Sequence, residues 1–248
     1  MEKTRHVYVD FIEGNTLQTP KLKKKKGKVK KKVNPNEPKP VSISRRYEDR
    51  VGVVFASGPS LDEETVEKIR PFHESGKVIA FGCNDTYRLV PYLDEFYACD
   101  KHWWDYHKDR FFDMRDMDRA RLWTQDGATA QSLGINYIKG RYSNKGLSQD
   151  PALIHFGSNS GFQLLNIAML MGIRKAILVG YNLQKVDNVS HFFGDHPGKL
   201  NKNSPYEKFR DAFKQIKDAQ KEMIVNCTPR TALKSIRKAD LLEELNSL

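Results

Sequence analysis

Val51-Gly52-Val53-Val54-Phe55-Ala56-Ser57-Gly58-Pro59-Ser60-Leu61 is the stretch whose reading decides the fold. Its first five residues form a continuous apolar run of strand length, ended by Ser57-Gly58-Pro59-Ser60. Asp62-Glu63-Glu64-Thr65-Val66 then opens a helical stretch with acids in its first turn, where the helix macrodipole favours negative charge. Working outward, Lys77 to Phe81, Glu95 to Cys99, Leu122 to Thr124, Ile135 to Ile138 and Met223 to Val225 read as further strands. A short helical stretch follows Asp126-Gly127. Between Ser158 and Val179 a second strong unit appears. Ser158-Asn159-Ser160-Gly161 offers N-cap oxygens, Phe162 to Met171 is almost wholly apolar, Gly172 suits the left-handed residue that ends a helix, and Ala176 to Val179 is a buried strand. Ser204-Pro205-Tyr206-Glu207 has the spacing of a capping box for a helix running to near Lys221, with Phe209, Phe213 and Ile216 on one face. A last helix is expected over Ala232 to Leu245. Strands alternating with helices predict an α/β fold: a Rossmann-like, mostly parallel sheet with helices on both faces, one domain over residues 51–248.

The 248 residues carry a net charge of +11, unevenly placed. Residues 1–50 hold 15 Lys/Arg and 6 Asp/Glu, against 27 and 25 in the remainder, so the body is nearly neutral. Nine lysines fall between Lys21 and Lys32, and the following VNPNEPKPV has little to bury. Residues 1–50 therefore read as a basic arm with a proline-containing linker, either a solubilising tail or a polyanion-binding element for DNA or another acidic polymer. Lysines without interleaved aromatic residues carry no sequence-reading chemistry. No apolar run reaches the roughly 18 to 20 residues of a membrane span, and MEKTRHVYVDFIEG lacks the apolar stretch of a signal peptide. Cys83, Cys99 and Cys227 form no CxxC pair, which excludes an encoded disulfide framework and fits a cytoplasmic location.

In parallel sheets, ligands bind beyond the carboxyl ends of the strands. The small and polar clusters lie there: Ser57-Gly58-Pro59-Ser60, Cys83-Asn84, Asp100, Gly180-Tyr181-Asn182 and Cys227-Thr228-Pro229. Gly58 lets the backbone approach a ligand, and the helix start after it offers N–H groups to a phosphate. Ser160-Gly161 is a second cradle of the same kind, unless it is an ordinary N-cap. Asn84 and Asp100 suit sugar hydroxyls or a base edge, or are simple turn residues. The loop Ser190-His191-Phe192-Phe193-Gly194-Asp195-His196 holds two imidazoles beside a carboxylate, the makings of a general base. Phe96-Tyr97, Trp103-Trp104 and Tyr106 are either a stacking surface or core. No HExxH or comparable ligand spacing encodes a metal site, and no GxSxG elbow marks a serine nucleophile.

Taken in order, these motifs resemble the bacterial lipooligosaccharide sialyltransferases and related domain-of-unknown-function proteins, small tailed-phage members included. VVFASGPSL resembles their strand and GxGPSL opening, Cys83-Asn84 their nucleotide-contacting Cys-Asn, and Asp100 stands where they carry Asn. Ser160-Gly161 matches their Ser-Gly, Gly180-Tyr181-Asn182-Leu183 their Gly-Ile-Asp-Phe, and Cys227-Thr228-Pro229 their Cys-Pro. Ser190 to His196 resembles their Ser-His-Tyr-Ile-Gly-His with one extra residue, Asp195, so the base is His196 or His191. The resemblance implies a metal-independent glycosyltransferase without cofactor, moving a sugar from a nucleotide-sugar to an acceptor hydroxyl of DNA or a surface glycan. The implied donor site is Ser57, Gly58, Pro59, Ser60, Asn84, Asp100, Ser160, Gly161, Tyr181, Asn182 and Thr228. Two alternatives stay open: a non-catalytic nucleic-acid-binding or virion assembly protein, and a pyrophosphokinase-like phosphotransferase with Mg²⁺ held by Asp100 and Asp195.

Overall fold

The computed structural model describes residues 38–112, 120–196 and 204–248. The Lys21 to Lys32 run lies outside them. Strand β1 (Val51–Phe55) is buried at every position, and its side chains split between two apolar clusters, Val51, Val53 and Phe55 in one and Val54 in the other. That alternation is what a strand with both faces covered requires. Helix α1 (Glu63–Glu74), α2 (Lys101–Phe112) and α7 (Leu241–Asn246) supply Val66, Ile69, Trp103, Trp104, Phe111 and Leu245 to the first cluster. Helices α4 (Ser160–Leu170) and α5 (Tyr206–Lys214) supply Leu164, Leu165, Ile167 and Phe213 to the second. The sheet is thus sandwiched between helices, as expected for a Rossmann-like α/β domain.

From β1 the chain moves outward through β2 (Val78–Cys83), a 3₁₀ turn at Asn84–Arg88, β3 (Glu95–Tyr97), β4 (Arg121–Thr124), α3 (Gly127–Leu133) and β5 (Asn136–Tyr137). After a small two-stranded sheet of β6 (Lys139–Arg141) and β7 (Leu153–His155), it returns to the other side of β1. There lie β8 (Lys175–Val179), β9 (Ile224–Asn226), which follows α6 (Asp218–Lys221), and β10 (Arg237–Lys238). The resulting order is β10-β9-β8-β1-β2-β3-β4-β5, parallel throughout. The order reverses between β1 and β8, which opens a crevice at their carboxyl ends.

Several expectations from the sequence are corrected. The body starts before Val51: Ile43 is buried in the core, and the Val41, Ile43 and Tyr47 N–H groups bond the carbonyls of Tyr137, Pro151 and Met171. The Ser204 capping box does not form, because Pro205 takes the N-cap position with no side-chain bond and α5 starts at Tyr206. That helix stops at Lys214, short of Lys221, where the loop at Gly146 presses against the backbone of Gln215 and Ile216. The last helix covers only Leu241–Asn246. Ahead of it, the Ala232 N–H bonds the Asn182 carbonyl, the Leu233 N–H bonds Thr231 Oγ1, and Arg237-Lys238 pairs with β9. The donors of a first helical turn are already taken, and Asp240 starts the helix instead by accepting from the Leu242 and Glu243 N–H groups. The aromatic run is core, not a stacking face: Phe96, Tyr97, Trp103 and Trp104 are buried and Tyr106 alone of that run is exposed.

Candidate functional site

A cleft of about 240 Å³ occupies the crevice between β1 and β8. Of the residues singled out from sequence, Ser57, Gly58, Pro59, Asn84, Ser160, Gly161, Tyr181, His191 and His196 line it. Asn84 and Ser158, both in its wall, hold left-handed backbone, φ 50° and 62°, conformations that cost free energy in residues other than glycine.

Four of the expected site residues have other work. Asn182 is fully buried: its Oδ1 accepts from the Ser60 N–H (3.2 Å) and Oγ (2.8 Å), and its Nδ2 donates to the Pro229 carbonyl (3.0 Å). Ser60 and Asn182 therefore clamp the β1, β8 and β9 loops together. Thr228, also buried, accepts the Tyr181 N–H at 2.8 Å. Asp100 is exposed at the start of α2, its carbonyl accepting from the Trp103 N–H, and is absent from the cleft wall. The role expected of Gly58 is corrected as well. Its N–H donates to the Gly180 carbonyl at 2.9 Å, and a Cβ there would stand 2.2 Å from that oxygen. Glycine is required by the closeness of two loops, whatever the cleft holds. The α1 start does not serve the cleft as expected either: Asp62, Glu63 and Glu64 are absent from its wall, and three carboxylates at that helix start oppose a phosphate.

The second junction keeps its donors. Asn159 caps α4 by accepting the Phe162 N–H at 2.8 Å, while the Ser160 and Gly161 N–H groups, first in the helix, have no helical partner and belong to residues of the cleft wall. Tyr181 fixes this end: its hydroxyl donates to the Gly161 carbonyl at 2.8 Å, and its ring fills the space a Cβ at Gly161 would need.

The histidines line the same cleft. Gly194, at φ 87°, turns the loop back so that its N–H bonds the His191 carbonyl, and the His191 and His196 rings come within 4.6 Å. The extra residue Asp195 is exposed. The carboxylate that faces His196 is instead Asp85, 1% exposed and missed in the sequence reading, with its Oδ2 at 3.9 Å from His196 Nδ1. Asp85 also lies 3.8 Å from His107 Nε2, accepts from Trp103 Nε1 at 3.2 Å and pairs with Arg88 at 3.5 Å. Burial lowers the pKa of all three imidazoles. For His191 burial and the neighbouring His196 bring it to about 4, and for His196 and His107 the Asp85 charge opposes the burial. All three are then neutral at pH 7. The cysteines are inert thiols: burial pushes Cys83 and Cys227 up to about 12 and Cys99 to about 11.

The signal for Asp85 was in plain view, a carboxylate two residues past a strand, but Asn84 beside it drew the reading. His107 lies four residues after Trp103, on one helix face. Among the described residues no three His, Cys, Asp or Glu side chains come together as a metal site, and Asp195 sits in the wall of a different cavity. Comparison with known protein families, curated proteins and solved structures finds no match to this chain.

Proposed function

We propose that this chain is a glycosyltransferase that moves a sugar from a nucleotide-sugar to an acceptor hydroxyl by direct displacement. The observation that supports it most is the pairing, across one cleft, of the open α4 start with two neutral histidines at the switch point of the sheet. The α4 N–H groups and dipole suit the phosphate of the nucleotide. In the step, a histidine nitrogen takes the acceptor proton, the acceptor oxygen bonds the anomeric carbon, and the bond from that carbon to the phosphate oxygen breaks. The electron pair leaves with the nucleotide, where the α4 N–H groups meet the growing charge. Asp85 favours a proton on His196 Nδ1, which leaves Nε2 of that ring as the base, and it offsets the imidazolium that forms. His196 is thus the preferred base and His191 its packed neighbour.

The test begins with thermal shift against CMP-, UDP- and GDP-sugars, because a ligand bound only by the folded state raises the melting temperature. His196→Ala should then slow single-turnover transfer by about 10² to 10⁴ with donor affinity retained. Since the base must be neutral and burial holds it below the usual histidine value, the rate should fall in acid solution with a midpoint below that of a free histidine. A screen in which no nucleotide-sugar shifts the melting temperature, or alanine variants of both histidines at the parent rate, would overturn the reading.

A further inference from the structure

Behind the histidine loop lies a second cavity, of about 420 Å³, between the 3₁₀ turn after β2 and α2. Asp85 forms part of its wall and is also the carboxylate that faces His196 of the first cleft, so the two spaces share a buried charge. Two guanidinium groups line it. Arg88 is held in place, paired with Asp85 at 3.5 Å and lying over the Phe193 ring at 5.3 Å from its centre. Arg110 makes no ion pair with any carboxylate of the described residues. Between them is His107, 6% exposed, whose Nε2 has no hydrogen-bond partner. Tyr106 adds a ring that is 62% exposed.

Each feature points to the same kind of ligand. A pinned arginine and an unpaired one present planar donor forks that match the oxygens of a phosphate or carboxylate. The charge of Asp85 is answered by Arg88 and by the Trp103 N–H; the exposed Asp195 balances Arg110 in formal charge but makes no ion pair with it, which leaves the Arg110 guanidinium open to an incoming anion. The exposed Tyr106 ring suits the flat apolar face of a sugar.

We propose that this second cavity binds a sugar carrying a phosphate or carboxylate, held by Arg88 and Arg110 with its ring on Tyr106. This site stands apart from the transferase reading.

The test uses the full chain and follows the ring resonances of His107, assigned with His107→Gln, while inorganic phosphate, acetate and glucuronate are added separately. The lysine-rich arm also attracts anions, so a reporter inside the cavity is needed. Saturable shifts of His107 are expected, with glucuronate at least tenfold tighter than acetate. Arg110→Met should weaken phosphate at least tenfold, and Tyr106→Ala should erase the preference for glucuronate over acetate. Lys238→Met, which removes the same charge at the far edge of the sheet, should change neither. If His107 does not respond, or responds equally in Arg110→Met, the site is overturned; a short oligonucleotide saturating it more tightly than any sugar would overturn the sugar class. Phosphate and glucuronate binding without any nucleotide-sugar shift would sink the transferase reading and leave the site standing.

Discussion

The two strand-end and helix-start junctions that read alike in the sequence, Ser57 to Ser60 and Ser158 to Gly161, do different things in the folded chain. At the first, Gly58 and Ser60 are explained by the protein itself. Gly58 gives its N–H to the Gly180 carbonyl, Ser60 bonds Asn182 through both N–H and hydroxyl, and the acidic helix start Asp62-Glu63-Glu64 lies outside the cleft wall. At the second, Asn159 takes one donor and the helix begins at a cleft. A glycine after a strand signals a close approach of something to the backbone. Whether that something is a ligand or a neighbouring loop depends on the strand placed next door, here β8.

The sharpest way to break this comparison is to fill both glycines. Gly58→Val forces a side chain to within 2.2 Å of a backbone oxygen that has no room to retreat, because Gly180 itself sits against the Ala56 carbonyl. The expected loss is about 3 kcal/mol or more in urea unfolding. Gly161→Ala meets the Tyr181 ring at 3.0 Å and Asn159 Oδ1 at 3.3 Å, and should cost about 1 kcal/mol while disturbing the cleft. Equal losses at the two positions would show that the junctions do not differ.

Local patterns told most of the fold. The apolar runs at Val51 and Ala176 were legible because a strand covered on both faces must be apolar at every position, and α4 because Asn159 and Gly172 punctuate it. What failed was long-range. Nothing near Ala232 announces that its N–H will be taken by Asn182, fifty residues away. Helix α2 was hidden because its aromatic residues could be read as a stacking surface or as core, and only packing shows that most are core. Most cleft-lining residues that flank a strand of the switch point were found; Asp85 was missed because what sets it apart, its closeness to His107 and His196, arises only on folding.

A smaller effect separates the two asparagines. Asn182→Ala removes the acceptor of two Ser60 donors and the donor to the Pro229 carbonyl, all in buried surroundings. Unmet buried polar groups cost about 1 to 3 kcal/mol, so a loss of about 2 kcal/mol is expected by chemical denaturation. The loss should be the same with and without a nucleotide-sugar, since Asn182 is clamped away from the cleft wall.

Asn159→Ala is the mildest change and the most informative about the second junction. It removes a single N-cap bond, from the Phe162 N–H at 2.8 Å, for which about 1 kcal/mol is usual. Its Nδ2 also donates to the Gly157 carbonyl at 3.0 Å, which holds the tight turn ahead of the helix. If α4 does no more than support the sheet, the variant should lose that stability and nothing else. If the Ser160 and Gly161 N–H groups meet a phosphate, loosening the turn before them displaces those donors, and nucleotide-sugar affinity should fall by about tenfold beyond the stability loss. Calorimetric titration of the variant against the parent at a temperature where both are fully folded reads the two effects apart, and unchanged affinity would return α4 to a purely structural role.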